Sequence, residues 1–252
     1  MSFRGRTRAP GILYAPGFPK GVKWLLVSNV AVFILGFFLQ LVQLDRPLGI
    51  LALVPSEVVH YLFVWQLATY MFLHGGFGHI IWNMLALWMF GADLERAWGT
   101  RKFIRFYFFC GIGAGICVVL LNYLLPAPWG NPSVGTIGCS GAIFGILLAY
   151  AMLYPDRTIL WGFLIPIQVK YFVLIIGAIA FMMSFQPGTG VSNFAHLGGL
   201  LFAYIFMKSP NMSFDLAGPI RRQHRNWKLR QAKRKFQVYL SKQGTDRDPR
   251  VH

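Results

Sequence analysis

Four polar residues that could react together stand in segments that are otherwise strongly apolar. They are His79, Asn83, Ser140 and His196. Ser140 offers a hydroxyl nucleophile and His196 an imidazole base, the pairing that acyl transfer uses. His79 and Asn83 are four residues apart, so both side chains project from one helix face and can point at one partner. A lone buried histidine or serine usually serves helix packing, so the prediction depends on all four coming together.

A third, acidic member of a catalytic triad is missing at this level of the chain. Of the eight Asp and Glu, none falls at the depth predicted for Ser140. Asp93 and Glu95 end the helix that carries His79, about 15–20 Å away along the helix axis. The sequence therefore predicts a Ser–His dyad, with the ring of Phe144, one turn after Ser140, stacked on the imidazole.

The composition indicates that these residues belong to a membrane protein. Of the 252 residues, 56% are hydrophobic and 13% charged, which is a poor mix for a water-facing surface. There are 24 Lys and Arg against 8 Asp and Glu, and this shortage of acids excludes two-carboxylate hydrolysis and acid-rich Ca²⁺ or di-iron sites. The three cysteines are dispersed without CxxC spacing and predict neither a disulfide framework nor a zinc site.

Six apolar segments are candidates for membrane-spanning helices, of which the fourth and sixth are short for a full crossing. They are 24–43, 77–94, 104–125, 139–154, 170–185 and 194–208. The predicted fold is an all-α polytopic membrane protein, with a six-helix membrane domain (24–208) between a basic arm (1–23) and a basic tail (209–252). The first loop, 44–76, is too long for a plain connector and too apolar for a solvated one. We therefore expect it to form short helices in the membrane interface.

The distribution of Lys and Arg predicts that both termini are cytoplasmic. Five occur in the arm 1–23 and four in the connection 95–105, whereas the loops 126–138 and 186–193 have none, and cytoplasmic flanks retain these residues. With this orientation the second, fourth and sixth helices all run inward from the outer face. Their N-terminal ends share one depth, which is the level of the four polar residues. Free backbone N–H groups at these ends would suit a developing oxyanion.

Small residues at four-residue spacing predict that the fourth and sixth helices touch. The two stripes are Gly141, Gly145 and Ala149 in the fourth helix and Ala195, Gly199 and Ala203 in the sixth. Such stripes let helix backbones approach closely in membranes. Ser140 and His196 adjoin the starts of the stripes, so this approach would bring hydroxyl and imidazole within reach of each other.

The basic tail fits three roles to different degrees. Residues 208–252 carry twelve Lys and Arg against three Asp, which favours a solvated cytoplasmic tail. A surface lying on anionic lipid is the alternative, because aromatic residues alternate with basic ones over 220–240. A nucleic-acid role is disfavoured, since no recognisable binding module accompanies the charge. The basic flanks and the lack of a removable targeting peptide favour a bacterial inner membrane.

The sequence resembles the rhomboid family of intramembrane serine proteases over 24–208. Three motifs carry the resemblance: Gly138-Cys139-Ser140-Gly141, Ala195-His196, and His74 with His79 and Asn83. The first matches the family's G-x-S-G at the start of the fourth helix, the second the opening of the sixth, and the third the H-x4-H-x3-N pattern of the second. A bare G-x-S-G is weak evidence, whereas three matches in the right helices and order are strong.

This resemblance implies a role for each position. Ser140 would be the nucleophile and His196 the base. The oxyanion hole would be lined by His79, Asn83 and the Ser140 backbone N–H, with Gly138 beside it. The family cleaves transmembrane segments of other proteins without cofactor or metal, so the expected partners are transmembrane protein substrates and the lipid bilayer, and not nucleic acid. The fold implied is a rhomboid-like six-helix bundle.

Two positions depart from the family's pattern. Trp65-Gln66 stands where many members have Trp-Arg, so a bidentate guanidinium that would help to fix the first loop is missing. Ala203 stands where the family has a second small glycine, and its extra methyl is expected to widen the helix contact slightly. The first departure bears on the rigidity of the loop and not on the chemistry.

Two other functions fit parts of the pattern. A catalytically inactive rhomboid-like binder, or a transporter, would use His79, Asn83 and His196 to hold the bundle together by hydrogen bonds between helices. A metal-dependent intramembrane protease would use His74, His79 and His196, but no HExxH is present and no carboxylate is near. An aspartyl protease fails because no helix interior holds an Asp.

Overall fold

The computed structural model describes residues 18–44, 46–161, 164–186 and 190–209. Most of the predicted arm and nearly all of the predicted tail lie outside these ranges, as do three residues of the loop 186–193. The chain divides into two compact units, Met1–Pro210 and Asn211–His252. The second unit lies wholly outside the described residues.

Helices make up most of the described residues. Nine α-helices occur there: α1 (Lys20–Leu41), α2 (Pro55–His60), α3 (Gln66–Thr69), α4 (Phe77–Ala86), α5 (Ala92–Trp98), α6 (Thr100–Leu124), α7 (Ser140–Leu153), α8 (Val169–Met183) and α9 (Gly190–Lys208). A π-helical turn, Leu87–Gly91, joins α4 to α5 without a break. Short 3₁₀ helices occur at Arg46–Leu51 and Tyr70–Phe72. Each of the six predicted apolar segments contains a helix, and α4 and α5 share the second segment.

The predicted start of the last helix is wrong by one turn. α9 begins at Gly190, four residues before the expected start at 194. Gly, Ser and Asn favour turns when considered locally. Here Asn193 and Phe194 are buried, and tertiary packing of this kind supplies most of a helix's stability.

Helix length differs across the bundle. Within the described ranges, α1 with 22 residues and α6 with 25 are long and apolar enough to cross a membrane. The apolar helices α7 and α8 have 14 and 15 residues. At its helical rise α7 extends only about 21 Å, less than the hydrocarbon core of a bilayer. Ser140 is the first residue of α7, so the hydroxyl stands at one end of a short helix.

The core is built by α6, α7 and α9, which pack closely against one another. A β-carbon on Gly199 of α9 would overlap the carbonyl of Gly141 in α7, and one on Gly141 would lie 2.6 Å from Ala114 of α6. Gly145 is close to Cys110 of α6 and to the carbonyl of Gly199, at 2.8 and 3.3 Å from its hypothetical β-carbon. The predicted contact of the two small-residue stripes is confirmed, and α6 takes part in it as a third helix.

The first loop is tied together by Gln66, the first of the two departures noted in the sequence. Gln66 is fully buried. Its side-chain oxygen accepts a hydrogen bond from the Val54 N–H at 3.0 Å, and its amide donates to the Ile50 carbonyl at 3.2 Å and to Glu57 Oε2 at 2.6 Å. An uncharged side chain therefore fixes the loop at three points. Ala203, the second departure, is fully buried.

The end of the bundle where α1 begins is organised by the buried Glu95 of α5. Its Oε1 and Oε2 accept hydrogen bonds from the backbone N–H groups of Gly21 (2.8 Å) and Val22 (2.7 Å). The Thr100 hydroxyl donates to Oε1 at 2.6 Å. A carboxylate at a helix N-terminus satisfies N–H groups that have no partner within the helix. Glu95 thereby joins α1, α5 and α6.

Asp93, two residues earlier, links α5 to the end of α7. It accepts hydrogen bonds from Arg96 at 2.9 Å, from the Tyr150 hydroxyl at 3.0 Å and from Arg157 at 2.6 Å. The Arg157 guanidinium also lies over the ring of Tyr154, 5.0 Å from its centroid. Asp93 and Arg157 are partly exposed, so this is a surface cluster.

A short antiparallel hairpin connects α7 to α8, between the fourth and fifth predicted apolar segments. Its strands are β1 (Thr158–Trp161) and β2 (Ile165–Gln168). Thr158 pairs with Gln168 at the base, and Trp161 pairs with Ile165 at the far end. Both strands contact α8.

Candidate active site

Ser140 and His196 are brought together by the close approach of α7 and α9. Oγ of Ser140 lies 2.9 Å from Nε2 of His196, which is within reach for proton transfer to a general base. The Ala195 carbonyl lies 3.0 Å from the position of a β-carbon on Gly141. The residue before the imidazole thus packs against the residue after the hydroxyl, and larger side chains there would separate the pair.

The two residues differ in their place on their helices. Ser140 is the first residue of α7, so its backbone N–H is one of the four that have no partner within the helix. His196 is the seventh residue of α9, so its N–H lies inside the helical hydrogen-bond pattern. The prediction that both helices offer free N–H groups to the site is wrong for α9, because that helix begins earlier than expected.

Phe144 packs directly on the imidazole. The rings of Phe144 and His196 are stacked, with centroids 4.2 Å apart and an interplanar angle of 5°. Phe144 follows Ser140 by four residues on α7, so one helix presents both the hydroxyl and the ring that holds the imidazole. The carboxylates of Asp93 and Glu95 are bound to other partners at the far end of the α4–α5 helix. Packing against an aromatic ring therefore orients His196.

His79 and Asn83 lie beside Gly138, two residues before Ser140. A β-carbon on Gly138 would lie 2.6 Å from Nε2 of His79 and 3.9 Å from Nδ2 of Asn83. Gly138 has a φ of +113°, which strongly favours glycine. Asn83 is 6% exposed, and its buried Nδ2 has no hydrogen-bond partner among the described residues. A buried, unpaired donor thus stands next to the segment that leads into Ser140.

The hydrogen bond of the second ring nitrogen indicates the tautomer of His79. The Gly75 backbone N–H donates to Nδ1 of His79 at 3.4 Å. A neutral imidazole that accepts at Nδ1 carries its proton on Nε2. The nitrogen that faces Gly138 is therefore a donor, so His79 and Asn83 both present N–H groups to the same space.

His74 contacts both His79 and the residue before Ser140. Its Nε2 lies 3.6 Å from Sγ of Cys139, and its ring centroid lies 5.0 Å from that of His79. Burial, with a smaller effect from His79, lowers the pKa of His74 to about 4. His74 is therefore neutral near pH 7 and adds no positive charge beside His79.

Tyr70 is a contributor that sequence reasoning missed. Its carbonyl accepts the backbone N–H of Gly138 at 2.9 Å, and its hydroxyl donates to the Gly111 carbonyl at 2.7 Å. The fully buried Tyr70 thus connects the glycine segment before Ser140 to α6. No spacing rule identifies it, because the contact runs through its backbone.

A cavity of about 590 Å³ opens beside the histidine end of α4. Its wall comes from α1, from residues 48–52 and from the residues that lead into α4. His74, Gly75 and Ile137 are part of this wall, and Ile137 immediately precedes Gly138. The cavity therefore adjoins the candidate site. In the described part of the chain, no group of three or more His, Cys, Asp or Glu is arranged to hold a metal ion.

Comparison with known proteins identifies relatives over the same region. A fungal protein named rhomboid-type serine protease 2, from Emericella nidulans, is 34% identical over 150 residues, which is 56% of this chain and 26% of the relative. RHOMBOID-like protein 1 of Arabidopsis thaliana is 28% identical over 78% of this chain and 56% of its own length. Rhomboid protease GluP of Bacillus subtilis is 34% identical over 54% of this chain and 24% of its own length. The aligned part of this chain thus spans between about a quarter and just over half of each relative.

A family model described as "Rhomboid domain" matches residues 62–209. This range contains all four polar residues and the glycine contacts that bring two of them together. It also covers more than half of the 252 residues. The chain therefore belongs to the rhomboid family and is an integral membrane protein.

Proposed function

We propose that this protein is an intramembrane serine endopeptidase that cleaves transmembrane segments of other membrane proteins with a Ser140–His196 dyad. The 2.9 Å contact between Oγ and Nε2 is the observation that carries the proposal. The stacking of Phe144 on the imidazole supports it, because it holds the base in place without a carboxylate. Membership of a family whose relatives include named serine proteases also supports it.

In this reaction His196 accepts the Ser140 hydroxyl proton at Nε2 while Oγ bonds to the carbonyl carbon of the substrate peptide. The same proton then passes to the departing amine as the carbon–nitrogen bond breaks. Water repeats the sequence on the acyl-enzyme, with His196 again as base. The free acid product leaves, and Ser140 regains its proton.

The oxyanion formed in each step is bound by three donors. They are Nδ2 of Asn83, Nε2 of His79 and the backbone N–H of Ser140. Two observations support these roles: Nδ2 of Asn83 has no partner among the described residues, and Nδ1 of His79 accepts the Gly75 N–H, which leaves the proton on Nε2. Donors aimed at developing charge are worth about 10²–10³ in rate each. Gly138 keeps the space between them open.

The substrate enters from the side of the cavity next to His74 and Ile137. A peptide bond inside a helix is shielded by its own hydrogen bonds, so the segment must unwind before Ser140 can attack. The 14-residue length of α7 supports a site that lies below the membrane surface yet remains accessible to water. The loop 126–138 contributes Ile137 to the wall on this side.

The membrane arrangement is a six-span domain (24–208) with an interfacial first loop, a basic arm (1–23) and a basic tail (209–252). Both termini are cytoplasmic, because Lys and Arg concentrate on that side. The protein resides in a bacterial inner membrane. Fusion of reporter enzymes at each loop would test this topology, and a reporter showing either terminus outside would contradict it.

The decisive experiment compares the wild-type chain with Ser140→Ala in vesicles that contain a tagged transmembrane substrate. We expect cleavage by the wild type and none by the variant. A serine-directed fluorophosphonate should label the wild type and fail to label Ser140→Ala. Ser184→Ala is the matched control, because Ser184 is a buried serine that donates to the Ala180 carbonyl at 2.8 Å, and it should cleave and label normally.

Two outcomes would contradict the proposal. Cleavage by Ser140→Ala would show that another group is the nucleophile. A wild-type chain that neither reacts with the fluorophosphonate nor cleaves any test segment would favour the inactive, partner-binding alternative.

A further inference from the structure

The β1–β2 hairpin differs in character on its two faces. Side chains alternate along a strand, so Ile159, Trp161, Ile165 and Ile167 share one face. These residues form the cross-strand pairs Ile159–Ile167 and Trp161–Ile165. The other face contains Thr158, Leu160, Pro166 and Gln168. One face is therefore entirely apolar, and the other is mixed.

The rest of the described structure covers only part of the apolar face. Ile159 and Ile167 are half-buried near α8. Ile165 is 59% exposed and Trp161 is 45% exposed. Leu164, which leads into β2, is 84% exposed. A two-stranded sheet on its own is marginally stable in water at best, and α8 covers only part of this one, so an apolar environment over the uncovered face would stabilise the hairpin.

The backbone restricts what that environment can be. Among the described residues each strand pairs only with the other, so one backbone edge of each strand lies outside the sheet. Such edges are not tolerated within the hydrocarbon core of a bilayer, because nothing there can satisfy them. An apolar face together with water-requiring edges matches the boundary between acyl chains and lipid headgroups.

Neighbouring residues indicate that the hairpin lies against the bilayer instead of projecting into water. The ring of Trp161, at the far end of β1, lies 6.5 Å from the ring of Phe172 on α8. The far end is therefore folded back beside α8. Lys170 and the 52% exposed Tyr171 follow β2 directly, with the Lys170 ammonium 5.2 Å from the Tyr171 ring centroid. Tyr, Trp and cationic side chains are typical of the interfacial zone.

We propose that the β1–β2 hairpin is an interfacial membrane anchor, seated with its Ile159, Trp161, Ile165 and Ile167 face on the acyl-chain boundary of the leaflet where α7 ends and α8 begins. The occupant of this surface is lipid. The proposal depends on membrane insertion of the chain and is independent of its catalytic activity.

The test uses a matched pair of full-chain variants that each gain one cysteine, Ile165→Cys and Leu160→Cys. These side chains are equally exposed, 59% and 58%, and lie on opposite faces. Each variant is labelled with a nitrobenzoxadiazole fluorophore and placed in phosphatidylcholine vesicles with or without brominated acyl chains. The native cysteines are buried or half-buried, and the unsubstituted chain treated in the same way gives the background.

We expect the Ile165→Cys probe to emit at shorter wavelength and to lose most of its emission in brominated vesicles. The Leu160→Cys probe should be quenched several-fold less. If Ile165→Cys does not give a monodisperse helical protein, Trp161→Cys on the same face replaces it.

Three results would overturn the proposal. Equal and weak quenching of both probes would place the hairpin in water. Equal and strong quenching would place it within the hydrocarbon. Protection of the Ile165→Cys probe from a water-soluble quencher in native membranes but not in pure vesicles would assign the face to a protein partner.

Discussion

The two ends of the continuous α4–α5 helix contain polar residues that are used in opposite ways. At the α5 end, Glu95 accepts three hydrogen bonds and Asp93 accepts three more. At the α4 end, the buried Nδ2 of Asn83 has no partner among the described residues, and Nε2 of His79 faces the space at Gly138. Buried polar groups are normally paired. The saturated α5 end therefore holds helices together, whereas the α4 end keeps a buried donor that no described residue uses.

The largest effect is expected from His196→Ala. Loss of the base should lower the rate of substrate cleavage by about 10⁴-fold or more, while thermal unfolding in detergent changes little by comparison. His60→Ala is the control, because His60 is an exposed histidine that contacts Tyr123 at 3.2 Å, and its rate should stay near wild type. An equal loss of cleavage rate in His196→Ala and His60→Ala would show that the assay reports folding. The two ends of the α4–α5 helix could then not be distinguished by activity.

A smaller loss of activity is expected from Asn83→Ala. Without this donor, the cleavage rate should fall by about 10²–10³-fold. The unfolding midpoint should fall little, because Nδ2 of Asn83 makes no hydrogen bond to any described residue. Cleavage and unfolding would be measured on the same reconstituted preparation.

Asn122→Ala provides the opposite pattern. Asn122 is buried, donates to the Val118 carbonyl at 2.8 Å and accepts from the Asn131 N–H at 2.9 Å. Its removal should lower the free energy of unfolding by about 1–3 kcal/mol and leave the rate per folded molecule unchanged. If Asn83→Ala also lost mainly stability, Asn83 would be a structural residue.

At the saturated end, Glu95→Ala should destabilise the protein without changing its chemistry. The Gly21 and Val22 N–H groups would lose their acceptor, at a cost of about 2–3 kcal/mol. Detergent-induced unfolding followed by circular dichroism would measure this cost. A rate per folded molecule that fell as steeply as in Asn83→Ala would show that the two ends are functionally coupled.

The smallest effect is expected from Arg157→Ala. This residue is paired with Asp93 but about half exposed, and exposed ion pairs contribute at most about 1 kcal/mol. Neither the cleavage rate nor the unfolding midpoint should change much. Added salt should have little effect on these two quantities in the wild type or in Arg157→Ala. A loss comparable to that of Glu95→Ala would mean that the surface cluster supports the bundle more than its exposure indicates.

Much of the helical framework could be predicted from local signals. Long apolar runs located the helices because burial and backbone satisfaction in a membrane require them. Gly141 and Gly199 predicted a close helix contact because small residues permit one, and the structure places these two residues against each other. The start of α9 could not be predicted, since Gly190 and Asn193 favour turns locally and only packing extends the helix.

The hydrogen-bond partners at the two ends could not be predicted either. In the sequence, Glu95 was recognisable only as an acidic residue at the end of a helix. In the structure it binds the N-terminus of α1, more than seventy residues away in the chain. From the sequence, Gln66 was expected to leave the first loop without the hydrogen bonds of a guanidinium. In the structure its side chain makes three hydrogen bonds within that loop. Contacts between distant residues depend on the arrangement of whole helices, which no local pattern specifies.

By itself, the sequence determined which residues could react and that they belong to one level of an apolar helical bundle. Residue type sets chemistry, and helical periodicity sets which side chains share a face. Only the tertiary structure decided that Ser140 Oγ meets His196 Nε2, that the ring of Phe144 stacks on the imidazole, and that Nδ2 of Asn83 has no partner among the described residues. These features require α6, α7 and α9 to pack through glycine contacts of a few ångströms, a distance that packing fixes and sequence spacing does not.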